Sequence, residues 1–136
     1  MTNNIEETNE LKLDFKKLKS ISELKEDVVP VVIQDIHTKD VLILGYTNKI
    51  ALDHTLKTGK VTLWSTSRNE LWIKGSISGD YLEVVEIRVN CEQNSLLYEV
   101  KILGQGVCHT KNRDKKSRQS CYYRKIKSDL KLGLTE

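Results

Sequence analysis

Four side chains stand out for the chemistry they could perform: Cys91, Cys108, His109 and Cys121. Three cysteines and a histidine form a ligand set for tetrahedral zinc, which binds thiolate and imidazole at about 2.0 to 2.3 Å. Twelve residues separate Cys108 from Cys121 and Cys91 lies upstream, a spacing unlike the tight Cys-x-x-Cys pairs of structural zinc ribbons. A centre with three protein ligands keeps a fourth position for water, and Zn²⁺ brings that water's pKa down to about 7. His109 is then a fourth ligand that closes the site, a general base beside it, or a hydrogen-bonded structural histidine. An odd cysteine count does not suit a disulfide framework. In a reducing compartment metal binding or thiolate chemistry competes with three inert buried thiols.

The composition sets bounds on the rest. A chain of 136 residues fits one domain. Charged residues at 30% and aromatics at 6% describe an ordinary globular protein, not a disordered one. With 22 Lys+Arg against 19 Asp+Glu, the net charge of +3 gives no indication of nucleic-acid binding and suits a phosphorylated small substrate. No window reaches the ~18 to 20 apolar residues that would cross a membrane. The polar, acidic start MTNNIEETNELK lacks the features of a secretory signal, so a cytoplasmic location is expected.

The elements that must position these residues read as a β-rich α+β domain with one or two short helices. Residues 1–10 offer almost nothing apolar to bury and read as a flexible tail, leaving 11–136 as the domain. Leu11, Phe15, Leu18 and Ile21 recur with the period of an amphipathic helix over Leu11–Leu24, with a break near Lys19 and Ser20. Pro30 leads into a strand over Val31–Ile36, and a turn at 37–40 joins it to Val41–Tyr46 as a β-hairpin. Asn48 is placed to cap a helix over Lys49–Lys57, which Thr58-Gly59 stops. Strands follow over Val61–Ser65 and Glu70–Lys74, then a small polar bend at Gly75–Gly79. Tyr81–Cys91 and Ser95–Leu103 alternate around a break at 92–94, a second hairpin. Residues 111–120 form a very polar loop and 122–126 a last strand.

Three stretches, PVVIQD (30–35), WSTSRNELWIKG (64–75) and GVCHT (106–110) closed by SCYYR (120–124), resemble the phosphoribosyl-AMP cyclohydrolase signature. GYTN (45–48) and LKTGKV (56–61) extend the resemblance to about residues 12–126. It implies a zinc hydrolase that opens the N1–C6 bond of phosphoribosyl-AMP in histidine biosynthesis and works as an intertwined homodimer. The implied ligands of the zinc, one per subunit, are Cys91 of one chain with Cys108 and Cys121 of the other. Water is the implied nucleophile and His109 the assisting catalytic residue. Arg68 and Lys74, in the best-matched motif, are expected to contact phosphate. Alternation places Glu70, Trp72 and Lys74 on one strand face, and the two tryptophans are expected in the core. The expected partners are a second copy and a phosphorylated purine nucleotide, with no nucleic acid and no membrane.

The chain also departs from the family pattern. Where the family has Asp-Cys-Asp-x-Asp, whose carboxylates hold Mg²⁺, this chain has Asn90, Cys91, Glu92, Gln93 and Asn94. Mg²⁺ usually needs anionic ligands to offset its partial dehydration, so Asn90, Glu92 and Asn94 read as a degenerate magnesium site or simply as a polar hairpin turn. Thr66 stands where an arginine is common, and Ile77 where threonine is. The loop between Cys108 and Cys121 is longer than usual. It carries Lys111, Arg113, Lys115, Lys116 and Arg118 against Asp114 alone. That run is a solvated loop, a replacement for lost phosphate-binding charge, or a grip on another anionic partner. Two other functions stay open: a paralogue acting on a different purine nucleotide-like substrate, and a non-catalytic, zinc-stabilised nucleotide-binding dimer.

Overall fold

The computed structural model describes residues 5–135; residues 1–4 of the expected tail and residue 136 of the expected domain lie outside the described residues. The elements in chain order are α1 (Lys17–Ser22), β1 (Val29–Asp35), β2 (Val41–Thr47), α2 (Lys49–Thr58), β3 (Thr62–Ser65), β4 (Glu70–Ile73), β5 (Leu82–Val89), β6 (Leu96–Ile102), β7 (Arg124–Ile126) and β8 (Leu132–Leu134). The described residues thus form a β-rich domain with two helices and no closed barrel.

Local chemistry explains α2. Asn48 is extended and its side chain accepts the Ala51 N–H at 2.9 Å, satisfying one orphan donor of the first turn. Gly59, at φ +74°, ends the helix in the left-handed conformation. The expected helix over Leu11–Leu24 is corrected to the six residues of α1. It buries none of its residues, and neither an acidic first turn nor a side-chain cap supports it. Phe15, 88% exposed, shows why: the helical period is present but no surface receives its apolar face.

Both expected hairpins form, and a four-stranded sheet of order β2-β1-β6-β5 unites them. The joint is a parallel pairing of β1 with β6, from Val31 opposite Leu96 to Asp35 opposite Val100. Pro30, which has no N–H to donate, sits one residue before that pairing begins. Alternation sends Val31 and Ile33 of β1, and Tyr98 and Val100 of β6, into a core that also holds Leu42, Val61, Leu63, Leu82 and Val107. Burying each such side chain stabilises the fold by about 1.5–3 kcal/mol.

The β3–β4 pair lies against β2 through a close contact: a Cβ at Gly45 would stand 2.8 Å from Leu63 Cδ1. The glycine of GYTN therefore makes room for the leucine beside Trp64. The last expected strand pairs with β8, which the sequence reading did not anticipate. No helix among the described residues is long and apolar enough to cross a membrane.

Leu63 ties the signature-bearing β3–β4 pair to the main sheet. Leu63→Ala is expected to lower the unfolding free energy by about 2–5 kcal/mol, read from the urea midpoint at unchanged m-value. A loss under 1 kcal/mol would mean that β3–β4 is held elsewhere.

Candidate metal centre

Two segments far apart in sequence bring Cys108 and Cys121 together. The Cys121 N–H donates to the Leu42 carbonyl at 2.8 Å and the Ser120 hydroxyl to the Val41 carbonyl at 2.8 Å, so β2 holds this cysteine. The Cys108 N–H donates to the Arg118 carbonyl at 2.9 Å, next to Val107 in the core. This crossing requires Gly106, where a Cβ would lie 2.5 Å from the Arg118 carbonyl oxygen. Cys108 is 5% exposed, and its sulfur lies 3.0 Å from the Thr110 hydroxyl.

The two thiols shift each other in opposite directions. Cys121 donates to Cys108, and this bond is the main cause that brings the Cys108 thiol down to about 5. Burial opposes the shift; Thr110 and His109 reinforce it. The same bond pushes the Cys121 thiol up, helped by burial and by the charge on Cys108.

Lys74, only 7% exposed, faces this pair. Burial lowers its pKa, while Cys121, Asp80 and Cys108 favour its charged form and Lys111 opposes it. For Asp80, burial favours protonation, but the Gln105 N–H at 2.9 Å, the Ser117 hydroxyl at 3.0 Å, Lys111 and Lys74 together bring its carboxyl below the usual range. A connected set of charges therefore runs from the thiols through Lys74 to Asp80 and the root of the basic loop.

His109 is exposed, and its Nε2 meets the Glu6 carboxylate. Glu6 belongs to the segment expected as tail, where residues 5–9 contact the C-terminal region. Arg124 donates to the Ile5 and Thr8 carbonyls at 3.0 and 2.9 Å, and Leu132 N–H to the Asn9 carbonyl at 2.8 Å. Sequence reasoning missed Glu6 and Asp80. Neither has a local signal, because each acts on a residue more than 20 positions away.

Cys91 stands apart from the pair, exposed in the turn between β5 and β6. Among the described residues, no group of three or more His, Cys, Asp and Glu assembles to hold a metal. One chain by itself presents two thiols together and a third elsewhere. In the Cys91 turn, Asn90 Oδ1 accepts the N–H groups of Asn94 and Ser95 at 2.9 and 3.0 Å. Asn90 Nδ2 donates to Asn94 Oδ1 at 2.6 Å, and Glu92 is exposed.

Arg68 is exposed in the β3–β4 turn, 3.9 Å from Glu70, while Lys74 lies past the other end of β4. The expectation that both tryptophans are core residues is corrected. Trp72 is 37% exposed and Trp64 half-buried, with Nε1 donating to Asn69 Oδ1 at 3.1 Å. The sheet of β3 and β4 has only two strands, and its tryptophans line an open cleft of about 190 Å³ with Leu44 and Tyr46.

A buried thiol paired with a half-buried one beside a buried lysine, on a small β-rich scaffold, is an arrangement suited to chemistry, and comparison with known proteins says which family it belongs to. Residues 43–123 match the family model described as Phosphoribosyl-AMP cyclohydrolase. A relative of that name from Archaeoglobus fulgidus is 45% identical over 105 residues, covering 77% of this chain and 91% of the relative. One from Chloroherpeton thalassium is 38% identical over 117 residues, covering 86% and 79%. The histidine biosynthesis bifunctional protein HisIE of Bacteroides thetaiotaomicron is 44% identical over 100 residues, 74% of this chain and 45% of that protein. The chain belongs to the phosphoribosyl-AMP cyclohydrolase family and is an enzyme of that kind.

The lowered Cys108 thiol has a spectroscopic signature. In metal-free Cys91→Ser protein, the ultraviolet absorbance of one thiolate should persist until the pH falls to about 5. Thr110→Val, which removes a hydrogen bond to that thiolate, should move the midpoint up by roughly half to one pH unit. An ordinary thiol midpoint in the parent protein would contradict the pairing.

Proposed function

We propose that this chain hydrolyses the N1–C6 bond of phosphoribosyl-AMP in histidine biosynthesis, as a homodimer with one Zn²⁺ per subunit. The observation that carries the reading is the pairing of buried Cys108 with half-buried Cys121, facing Lys74. Thiolate is the form that ligates zinc, and this environment favours it on Cys108. Cys91 of the second subunit is the third ligand. Three thiolates and Zn²⁺ sum to −1, a charge that the Lys74 ammonium offsets. When bound, Zn²⁺ supplies the Lewis acidity that lets water act as a nucleophile near neutral pH. Thiols kept for a metal suit the reducing cytoplasm.

The chain's own residues do the remaining work. Water oxygen joins C6, the N1–C6 bond breaks, and the proton released by water ends on N1. His109 carries that proton: Nε2–H is donated to Glu6, which leaves Nδ1 as the basic nitrogen. Arg68 and Lys74 attract the phosphates. The dimer reading draws support from the exposed Cys91 and from a neighbouring cleft of about 380 Å³, lined in part by Val32, Val89, Leu96 and Leu97. A subunit seated there would cover apolar surface next to the turn that carries its partner's ligand.

Mg²⁺ takes no part in this proposal. Asn90 Oδ1 already accepts two backbone N–H groups and Asn94 Oδ1 accepts Asn90, so the two amide oxygens are engaged and Glu92 is the one carboxylate left. The set does not fit a cation that needs anionic oxygen ligands. Turnover is therefore expected to be the same within twofold after exhaustive Mg²⁺ removal with zinc retained; strict dependence on Mg²⁺ would refute this.

A subunit-mixing experiment tests the zinc site. Wild-type protein should contain about one zinc per chain, and Cys91→Ser or Cys108→Ser alone should lose metal and turnover. Co-refolding the two variants should restore about a quarter of wild-type activity, because half the dimers are mixed and each contains one intact centre. Absence of recovery, with mixed dimers present, would exclude a centre shared between subunits. The paralogue reading rests on Asn90, Asn94 and Thr66; faster turnover of another N-glycosylated purine than of phosphoribosyl-AMP would establish it instead.

A further inference from the structure

We propose that the hairpin of residues 111–118 is a seat for a phosphate monoester, the 5′-phosphate end of the substrate; this rests on the reading of the substrate as phosphoribosyl-AMP. The hairpin carries five cations and one carboxylate, a net +4, whereas the whole chain carries +3. Positive charge is thus concentrated in eight residues, and the remainder of the chain is slightly acidic.

The hairpin is built rather than loose. Lys111 bridges to Ser117 across it, and the Asn112 N–H donates to the Lys116 carbonyl at 2.9 Å. Asn112 Oδ1 accepts the N–H groups of Asp114 and Lys116 at 2.9 and 3.1 Å, while Lys115 takes a left-handed φ of +60°. Such a turn fixes the directions of its side chains in advance of binding. Its root is tied to the metal centre: Lys111 Nζ donates to Ser117 Oγ at 2.9 Å, and Ser117 Oγ to Asp80 Oδ2 at 3.0 Å. Asp80 is the carboxylate that faces Lys74 beside the thiols.

A cleft of about 650 Å³ opens here, lined by Lys111, Asn112, Arg113, Asp114, Arg118 and Leu134. The side chains of Arg113, Lys115 and Lys116 make no hydrogen bond or ion pair with the described residues. Arg118 is different: it lies over the Tyr123 ring at 4.0 Å and donates to Glu7 and Thr110, yet its buried Nε has no acceptor. Arg113, Lys111 and Arg118 thus line a cleft tied through Ser117 and Asp80 to the thiols, and Lys115 and Lys116 add unpaired charge on the same hairpin. Such a cationic cleft suits a dianionic phosphate, which accepts several charge-assisted hydrogen bonds at once.

A nucleic-acid strand fits less well. The positive surface is confined to one hairpin, residues 111–118 contain no aromatic on which a base could stack, and Glu6 and Glu7 flank it.

The test is the triple variant Arg113→Ala/Lys115→Ala/Lys116→Ala, whose side chains take no part in the hairpin's own bonds. With folding verified by circular dichroism, KM for phosphoribosyl-AMP should rise about tenfold or more while kcat stays within about twofold. Inorganic phosphate should inhibit wild type competitively, and its inhibition constant should weaken by about tenfold in the variant. An unchanged KM overturns the proposal, even when phosphate binding falls, since the seat would then serve a separate anion. Tighter binding of a single-stranded oligonucleotide than of phosphate at the same residues overturns it as well. Should wild type turn over no phosphoribosyl-AMP, the activity reading fails by itself. The seat is then judged by calorimetry with AMP: weakened binding in the variant supports it, and equal binding refutes it.

Discussion

The interaction of the buried Cys108 thiol with the half-buried Cys121 thiol organises this molecule. Neither Cys108 nor Cys121 could easily carry negative charge in the interior by itself, because burial penalises the ionised form. The chain resolves this by making one thiol the donor to the other and by burying a cation, Lys74, within reach of both. Lys74 is in turn an expensive group to bury, and burial lowers its pKa while Cys121, Asp80 and Cys108 favour its charged form. Asp80 depends on the Gln105 N–H and Ser117, and so on the turn that approaches Gly104 and on the root of the basic hairpin. Removing any member leaves a buried charge without its partner, so the centre is a network rather than a list of ligands.

The scaffold around this network follows the same need. Cys121 is joined to the carbonyl of Leu42, a core residue of β2, and Cys108 follows Val107, another core residue. Both sulfurs are thus anchored to the most buried part of the fold. Cys91 is placed in the opposite manner, on an exposed turn at the end of a hairpin. A ligand presented outwards and two held inwards make sense together if the centre is completed by a second copy, as proposed. Assembly and metal binding would then be one event, each stabilising the other by mass action.

Where order was local, it was legible in the sequence. The cap at Asn48, the stop at Gly59 and the alternation of the two hairpins act over a few residues, and these elements appear within one or two residues of expectation. The parallel joining of β1 to β6 was not legible, because that pairing links segments some 65 positions apart. Phe15 and Leu18 misled for a related reason: periodicity reports what could be buried, and only the tertiary structure decides whether a surface exists to bury it. Trp72 failed similarly, since large aromatics normally fill cores but here sit on a two-stranded sheet open on one side. At the site, residue types pointed to three cysteines, of which one chain brings Cys108 and Cys121 together and leaves Cys91 apart. The supporting roles of Glu6 and Asp80 arise from contacts that no short motif encodes.

The turn around Cys91 is held by its own side chains. Its geometry is fixed by Asn90, which bonds the Asn94 and Ser95 N–H groups and the Asn94 side chain. Gln93 in the left-handed region closes the turn without a glycine. Neutral amides suit this task because each offers both a donor and acceptors, which carboxylates lack unless a cation or added proton stands between them. Asn90 and Asn94 together close a ring of hydrogen bonds within the turn that carries Cys91.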